Sequence, residues 1–580
     1  MNEFEVYQEW REHQGIDEQT KTELLSITDS PKDIEDRFFK YLEFGTGGMR
    51  GVLGAGTNRI NRYTVRRATQ GLADYISKVG ADAKKKGVVI AYDSRHQSAF
   101  LAEETACTLV ANGIRVYLFD QLRPTPELSF AVRYLKAQAG IVITASHNPP
   151  EYNGYKLYWE DGGQIASDIA AQIIAEVNKL STFEGIHYIS REEAEKSGFL
   201  QIIGNELDQV YIERLEKVSL NSDVVRDMST SFSIVYTPLH GAGRMLVPET
   251  LKRIGFTQVH IVQDQDVPDP NFSTVKSPNP EEKEAFQMAL SLAQEKKADI
   301  VVATDPDCDR VGIAARDKTG EYVFLTGNQT GALLVEYLLS VKAQKGTLSS
   351  GDTVFTTIVT SELGSAVARK YGIDTILTLT GFKYIAEQIR LFEEQGGRQF
   401  VFGYEESYGY LADSFVRDKD AVMSTMLICE MGAFYKKQGK SLIDVLNDLY
   451  AEHGFYQEGL ESRTLKGIDG LERIQAIMND WRTNSPVTIA ESPIVESRDY
   501  AKQIALDTKS GIETTLSLPK ENVLQYWLED GSWFCLRPSG TEPKLKIYFS
   551  IKGQSQAESI QRMDQIKAQV LRRVDEISLG

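Results

Sequence analysis

Six times along this chain a short, almost wholly apolar run stops abruptly in a loop rich in Gly, Pro, Ser or Asp. Val88-Val89-Ile90-Ala91-Tyr92 runs into Asp93-Ser94-Arg95, Ile141-Val142-Ile143 into Thr144-Ala145-Ser146, and Ile234-Val235-Tyr236 into Thr237-Pro238. Ile300-Val301-Val302-Ala303 runs into Thr304-Asp305, and the runs Val354–Val359 and Thr375–Leu379 behave alike. Runs of this length that alternate with helical patterns such as Glu281 to Glu295 predict βαβ units with parallel or mixed sheets. In such sheets ligands sit beyond the carboxyl ends of the strands, and the unusual loops of this sequence fall there.

The two ends of the chain read differently. The stretch to about Phe39 is charged and helical, with Leu24, Leu25, Phe38 and Phe39 available for packing. In the last 120 residues Trp533–Leu536 and Lys544–Phe549 flank one polar loop, and an amphipathic helix is predicted from about 554 to 577. The expected fold is therefore α/β, with three α/β domains and a C-terminal α+β domain over 1–208, 209–318, 319–449 and 450–580.

With 580 residues, 42% hydrophobic and 25% charged, the composition is that of an ordinary globular protein. A net charge of −18 argues against a nucleic-acid partner, which wants a basic face. The N-terminus lacks a basic-then-apolar signal pattern, and no apolar run is long enough to span a membrane. Four well-separated cysteines without a CxxC pair suit reduced thiols in a cytoplasmic protein.

Four loops carry possible chemistry. In Thr144-Ala145-Ser146-His147-Asn148-Pro149-Pro150 the two prolines prevent a helix, so Ser146 is expected in an exposed loop, with His147 and Lys156 supplying positive charge beside it. Asp305-Pro306-Asp307-Cys308-Asp309-Arg310 places three carboxylates at alternate positions, where they can converge on a hard cation such as Mg²⁺. It is not an EF-hand, because Arg310 and Arg316 stand where that loop needs Gly and Glu. Gly403–Tyr410, following the run Phe400–Phe402, offers paired carboxylates and a hydroxyl suited to sugar hydroxyls. Arg537-Pro538-Ser539-Gly540-Thr541-Glu542-Pro543-Lys544 makes a compact phosphate clamp. Each loop taken singly also fits a plain turn. Together they hold what phosphoryl transfer requires, which is positioning and charge stabilisation.

On these motifs, in this order from about Gly45 to Phe549, the chain resembles the α-D-phosphohexomutase superfamily, and within it the long-type bacterial phosphoglucomutase branch. The resemblance implies four domains around a central cleft, one Mg²⁺, and interconversion of glucose 1-phosphate and glucose 6-phosphate through glucose 1,6-bisphosphate. It implies that Ser146 carries the phosphoryl group, and that Asp305, Asp307, Asp309 and an oxygen on Ser146 hold the metal. Arg50, His147, Lys156 and Arg310 would serve the transfer. Thr380, Gly381, Lys383, Glu405, Ser407 and Lys419 would contact substrate, and Arg537, Ser539, Gly540 and Thr541 would hold the other phosphate. In one branch of the superfamily a His follows the Gly of the sugar loop. Here Tyr410 follows Gly409, so the general base stays open. Other sugar preferences within the superfamily, a bisphosphate synthase and a non-catalytic sugar-phosphate binder remain alternatives.

Overall fold

The computed structural model describes residues 2–45, 47–465, 469–539 and 544–579. The chain forms two compact units, Met1–Gly327 with Ile385–Leu442, and Asn328–Tyr384 with Ile443–Gly580.

The first unit opens with helices Glu3–Glu12, Glu18–Ser26 and Pro31–Phe38. Trp10, Leu24, Ile34 and Phe38 pack there with Tyr63 and Phe183. Of the four apolar residues expected to pack, only Leu24 and Phe38 do so. Leu25 and Phe39 are 60% and 53% exposed, because a residue one position on is turned about 100° away from the buried stripe.

Next comes a six-stranded sheet of β1 (Gly48–Val52), β2 (Val88–Tyr92), β3 (Val116–Phe119), β4 (Ala139–Ile143), β5 (Tyr152–Trp159) and β6 (Leu200–Ile203). Its order is β1-β5-β4-β2-β3-β6. Every residue of β3 and β4 is buried, as expected of strands covered by helices on both faces. β2 pairs in parallel with β3 and β4 across helical crossovers. β5 runs antiparallel to β4, because the eight-residue link 144–151 carries no crossover helix.

A second sheet holds β7 (Ile234–Thr237), β8 (Val259–Ile261), β9 (Ile300–Thr304), β10 (Val311–Arg316) and β11 (Tyr322–Leu325), in the order β11-β10-β9-β7-β8. The aspartate loop is the turn between the antiparallel β9 and β10. The helical pattern from Glu281 becomes a 3₁₀ turn, Lys283–Phe286, followed by helix Gln287–Lys296.

The second unit contains β12 (Asp352–Thr357) and β13 (Asp374–Thr378), paired in parallel. β12 ends two residues before the expected Val359. In the first unit β14 (Gln399–Glu405) and β15 (Gly409–Leu411) pair as a hairpin. The expected Gly403–Tyr410 loop is therefore mostly strand, with only 406–408 forming the turn.

The C-terminal sheet is antiparallel: β16 (Phe455–Thr464), β17 (Thr488–Ile489), β18 (Ser492–Asp499), β19 (Ile504–Asp507), β20 (Glu513–Thr515), β21 (Leu524–Leu528), β22 (Trp533–Pro538) and β23 (Lys544–Gly553). Helices Asp469–Thr483 and Gln556–Leu579 cover it through Trp481, Ile566 and Val570. Within this unit Ile358, Val359 and Leu379 pack on Trp533, Cys535 and Tyr548.

Glu458 on β16 leaves a buried Oε1 without a hydrogen-bond partner. Burial pushes its carboxyl up to about 7, partly offset by a bond to Ser361. A carboxyl raised in the folded state contributes stability below its unfolded pKa, near 4.5, and loses it as pH rises through about 7. Glu458→Gln should therefore stabilise this unit by ~1–3 kcal/mol at pH 8 and by little at pH 5. Thermal unfolding at both pH values checks this, and equal effects at the two would refute it.

Candidate active site

Ser146 follows β4 in the left-handed region, φ +53. Its amide donates to Thr144 Oγ (2.8 Å), and Thr144 Oγ donates to Asp93 Oδ2 (2.7 Å). Arg95, at the end of β2, grips the same loop from beneath. Its Nη1 donates to the carbonyls of Pro149 (2.9 Å) and Tyr152 (3.2 Å), and its Nη2 to those of Ser146 and Asn148. Asp93 pairs with the Arg95 guanidinium (3.2 Å) and also accepts from the Arg95 amide and Ser98 Oγ. One buried arginine thus binds three carbonyls of the loop and the first carbonyl of β5, tying the loop to the strand that follows it.

This clamp overturns the expected exposure of Ser146, which is 2% exposed. The loop is drawn inward, and Ser146 Oγ donates to Asp305 Oδ2 at 2.7 Å and lies 3.1 Å from His147 Nδ1. Partial burial, then Arg310 and Arg50, pull the imidazole well below its usual pKa. His147 therefore offers a neutral ring nitrogen here, and the expected positive charge comes from its neighbours.

Asp305, Asp307 and Asp309 are buried, and each offers an oxygen within 4.8 Å of the others. The turn is tight. Cys308 sits at φ +54, and Asp305 Oδ1 accepts from the amides of Asp309 (3.1 Å) and Arg310 (3.0 Å). Lys156, on β5, donates to Asp307 Oδ2 (2.6 Å) and Asp309 Oδ2 (3.1 Å). Burial, reinforced by Asp307 and Asp309, raises the Asp305 carboxyl well above its usual range. Burial pushes Asp309 the same way, but Lys156 and Lys419 overcome it and hold that carboxyl low. Asp307 Oδ1 and Asp309 Oδ1 remain buried without a donor. Orphaned carboxylate oxygens are costly, and in a trio that can bring one oxygen from each residue within 4.8 Å of the others, with Ser146 Oγ on Asp305, they fit a hard cation that takes oxygen ligands and keeps room for phosphate.

The third loop joins through one hydrogen bond and one buried charge. The Val311 amide donates to the Tyr408 carbonyl (3.0 Å), which seats the β14–β15 turn on the aspartate hairpin and brings Ser407 alongside. Glu405, buried at the end of β14, acts electrostatically on Arg310 and Lys419. Arg310 also pairs with Glu281. Arg50, on β1, reaches Asn148 Oδ1 at 3.3 Å. Lys419 lies in this cluster, 3.2 Å from Asp309 and 3.0 Å from Asp418. Tyr158, on β5, holds Asp418 (2.7 Å), and Tyr211, on helix Asn205–Glu216, holds Asp420 (2.7 Å), so its segment is stitched to both the first sheet and that helix. Gly409 is required because a Cβ would land 2.0 Å from Lys419 Cδ. Tyr410 is buried, and its hydroxyl donates to the Gly327 carbonyl at 3.3 Å.

Two residues here escaped sequence reasoning. Arg95 showed only as part of a strand-end turn. Thr125 donates its amide to the Asp307 carbonyl (2.9 Å) and its hydroxyl to Asp307 Oδ2 (2.8 Å). Its one signal was Pro124-Thr125-Pro126, which punctuates the chain shortly after β3.

The first unit thus gathers Ser146, His147, Lys156, Arg50, the three aspartates, Arg310, Glu405, Ser407 and Lys419. Thr380, Gly381 (φ +122), Lys383, Arg537 and Ser539 belong to the second unit. There Arg537 Nε donates to Glu521 (3.1 Å) and the Ser539 amide to the Lys544 carbonyl (2.7 Å). Gly540 and Thr541 lie outside the described residues.

Three α/β domains, a C-terminal sheet domain and a serine set against a buried aspartate trio define an enzyme of the phosphohexomutase superfamily. The chain belongs to the phosphoglucomutase/phosphomannomutase family: α/β/α domains I, II and III match residues 41–184, 209–320 and 326–453, and the C-terminal domain matches 483–564. It is 39% identical over 520 residues to a phosphoglucomutase of Staphylococcus haemolyticus, covering 89% of this chain and 91% of that one. It is 38% identical over 525 residues to a phosphoglucomutase of Staphylococcus aureus, covering 90% and 92%. Among solved structures it shares its fold with a Paramecium parafusin (TM-score 0.68, 18% identity, 93% and 94% covered). It also resembles a putative phosphomannomutase of Thermus thermophilus (TM-score 0.66, 22% identity, 92% and 99% covered). No helix among the described residues is long and apolar enough to cross a membrane.

Proposed function

We propose that this chain interconverts α-D-glucose 1-phosphate and glucose 6-phosphate in the cytoplasm, with Ser146 as phosphoryl carrier and Mg²⁺ at the aspartate trio. The observation that carries the reading is Ser146 Oγ, buried and 2.7 Å from Asp305 in a trio with two orphaned oxygens.

The active form carries phosphate on Ser146. The 6-hydroxyl of glucose 1-phosphate attacks that phosphorus, the P–Oγ bond breaks and a P–O6 bond forms. Mg²⁺ held there would supply Lewis-acid neutralisation of the transferring oxygens. Lys156, Arg310 and Arg50 add fixed positive charge, and His147 Nδ1, 3.1 Å from Oγ, is placed to carry the proton between the hydroxyls. Glu405 and Ser407 hold sugar hydroxyls, with Lys419 beside them. Thr380, Gly381 and Lys383 orient the ring. Arg537 and Ser539, with Gly540 and Thr541, hold the phosphate that is not moving. The product, glucose 1,6-bisphosphate, reverses its orientation and returns its 1-phosphoryl group to Ser146.

A coupled assay tests this. Glucose 1-phosphate with Mg²⁺ and a trace of glucose 1,6-bisphosphate should yield glucose 6-phosphate at ~1–10³ s⁻¹, and EDTA should stop it. No turnover by phosphorylated enzyme would refute the substrate assignment, and kcat/KM with mannose and ribose 1-phosphates would then show which sugar replaces glucose.

A further inference from the structure

At the other end of β9 and β10 from the aspartate loop lies a hollow of about 270 Å³. Ile300 and Ala315, cross-strand partners, line it, whereas Thr304 and Val311 pair beside the loop. None of the residues assigned above to sugar, phosphate or metal lines it. The far wall is the end of helix Ala421–Lys437 and the segment after it. This wall is built by two glycines. A Cβ on Gly432 would strike the Phe232 ring at 2.6 Å, so glycine lets the helix close on the sheet. Gly439 (φ +76) then reverses the chain, with the Lys440 amide donating to the Tyr435 carbonyl at 3.0 Å.

Arg316, Lys318, Lys436 and Lys440 line the hollow together with two acids, Asp299 and Asp317, and the donors that matter are those of Arg316. Both acids are already engaged. Asp299 accepts from the Ser233 amide (2.8 Å) and Lys436 Nζ (2.6 Å), which also consumes that lysine. Asp317 accepts from the Thr319 amide (2.8 Å), the Thr319 hydroxyl (2.7 Å) and the Glu321 amide (2.9 Å), closing its own turn. Arg316 spends only its Nε, on the Gly320 carbonyl at 3.4 Å, and neither of its terminal nitrogens has a partner among the described residues. What Arg316 offers this hollow is therefore N–H donors and positive charge beside an apolar floor of Ile300, Ala315 and Leu442.

We propose that the hollow is a second ligand site, for a compact organic anion, a phosphate monoester or a carboxylate, held by the forked donors of Arg316. A guanidinium matches two oxygens of either group. The volume lies just below the usual range for small-molecule pockets, roughly 300–1,000 Å³, so the body of the ligand is about one small ring. The proposal does not rest on the mutase reading, because it uses none of those residues.

The test is calorimetry on the full chain with phenyl phosphate and with benzoate. One of them should bind with Kd near 1 mM or below, about −4 kcal/mol, and the tighter of the two identifies the head group. Arg316→Gln should weaken that binding at least ~10-fold, about 1.4 kcal/mol, and leave glucose 1-phosphate turnover unchanged. Arg316→Lys, which keeps the charge but loses the planar fork, should weaken it by less, and it decides the matter should the glutamine variant fold poorly. The proposal is overturned if neither compound gives saturable binding up to about ten times that Kd. It is equally overturned if binding is unaltered in the variants, which would place it at the catalytic phosphate sites.

Discussion

Ser146→Ala should reduce mutase turnover by at least ~10⁴-fold, some 5–6 kcal/mol of barrier, and should take up no label from glucose 1,6-bisphosphate phosphorylated with ³²P. The argument lies in what surrounds Oγ. This one atom touches both the aspartate trio and His147, and no second hydroxyl among the contacts of Asp305 replaces it. The loop itself should survive, since its shape rests on the Ser146 amide and carbonyl, which alanine keeps. Losing one side-chain hydrogen bond costs only about 1 kcal/mol. The variant should therefore fold and still bind glucose 1-phosphate. Label on the alanine variant, or turnover within tenfold of the parent, would remove Ser146 from the chemistry.

Arg95→Lys should be the next most damaging change, although Arg95 is a positioning residue. Lysine cannot reproduce a planar fork that reaches four carbonyls, and each buried carbonyl left unpaired costs roughly 1–3 kcal/mol. The loop should relax toward solvent and carry Oγ away from Asp305. A displacement of about 1 Å at a reacting group is worth ~10²-fold, so kcat should fall ~10²–10³-fold with a much smaller change in KM. Two further readouts separate positioning from general destabilisation. Ser146 phosphorylation by glucose 1,6-bisphosphate should slow in parallel with kcat at temperatures where the variant is folded. Added guanidinium should restore part of the activity of Arg95→Ala. A purely structural role would lower the unfolding temperature and leave the kinetics of the folded enzyme alone.

The local chemistry was legible in the residues. Asp305, Asp307 and Asp309 lie within five positions on one turn, so their convergence needs only a hairpin, and the apolar β9 predicted where that hairpin begins. Ser146 was legible for the same reason, as a small polar residue between a buried strand and two prolines. The burial of Ser146 was not. It depends on Arg95 bonding backbone carbonyls, and a carbonyl acceptor has no letter in the sequence. Nor could the Leu24/Leu25 and Phe38/Phe39 pairs be divided until the helices were docked, since both members of each pair are apolar.

What the sequence by itself determined is the succession of strands and helices, the chemical type of each loop and the residues able to hold a cation. Periodicity, turn residues and short-range spacing carry that information over a few residues. What only the tertiary structure decided is which loops meet: Ser146 with Asp305, Lys156 with Asp307, Thr125 with Asp307, Lys419 with Asp309. Those pairs are separated by more than a hundred residues, and they meet because buried sheets fix the ends of their strands in space. A charge buried there must find an opposite partner, however distant in the chain.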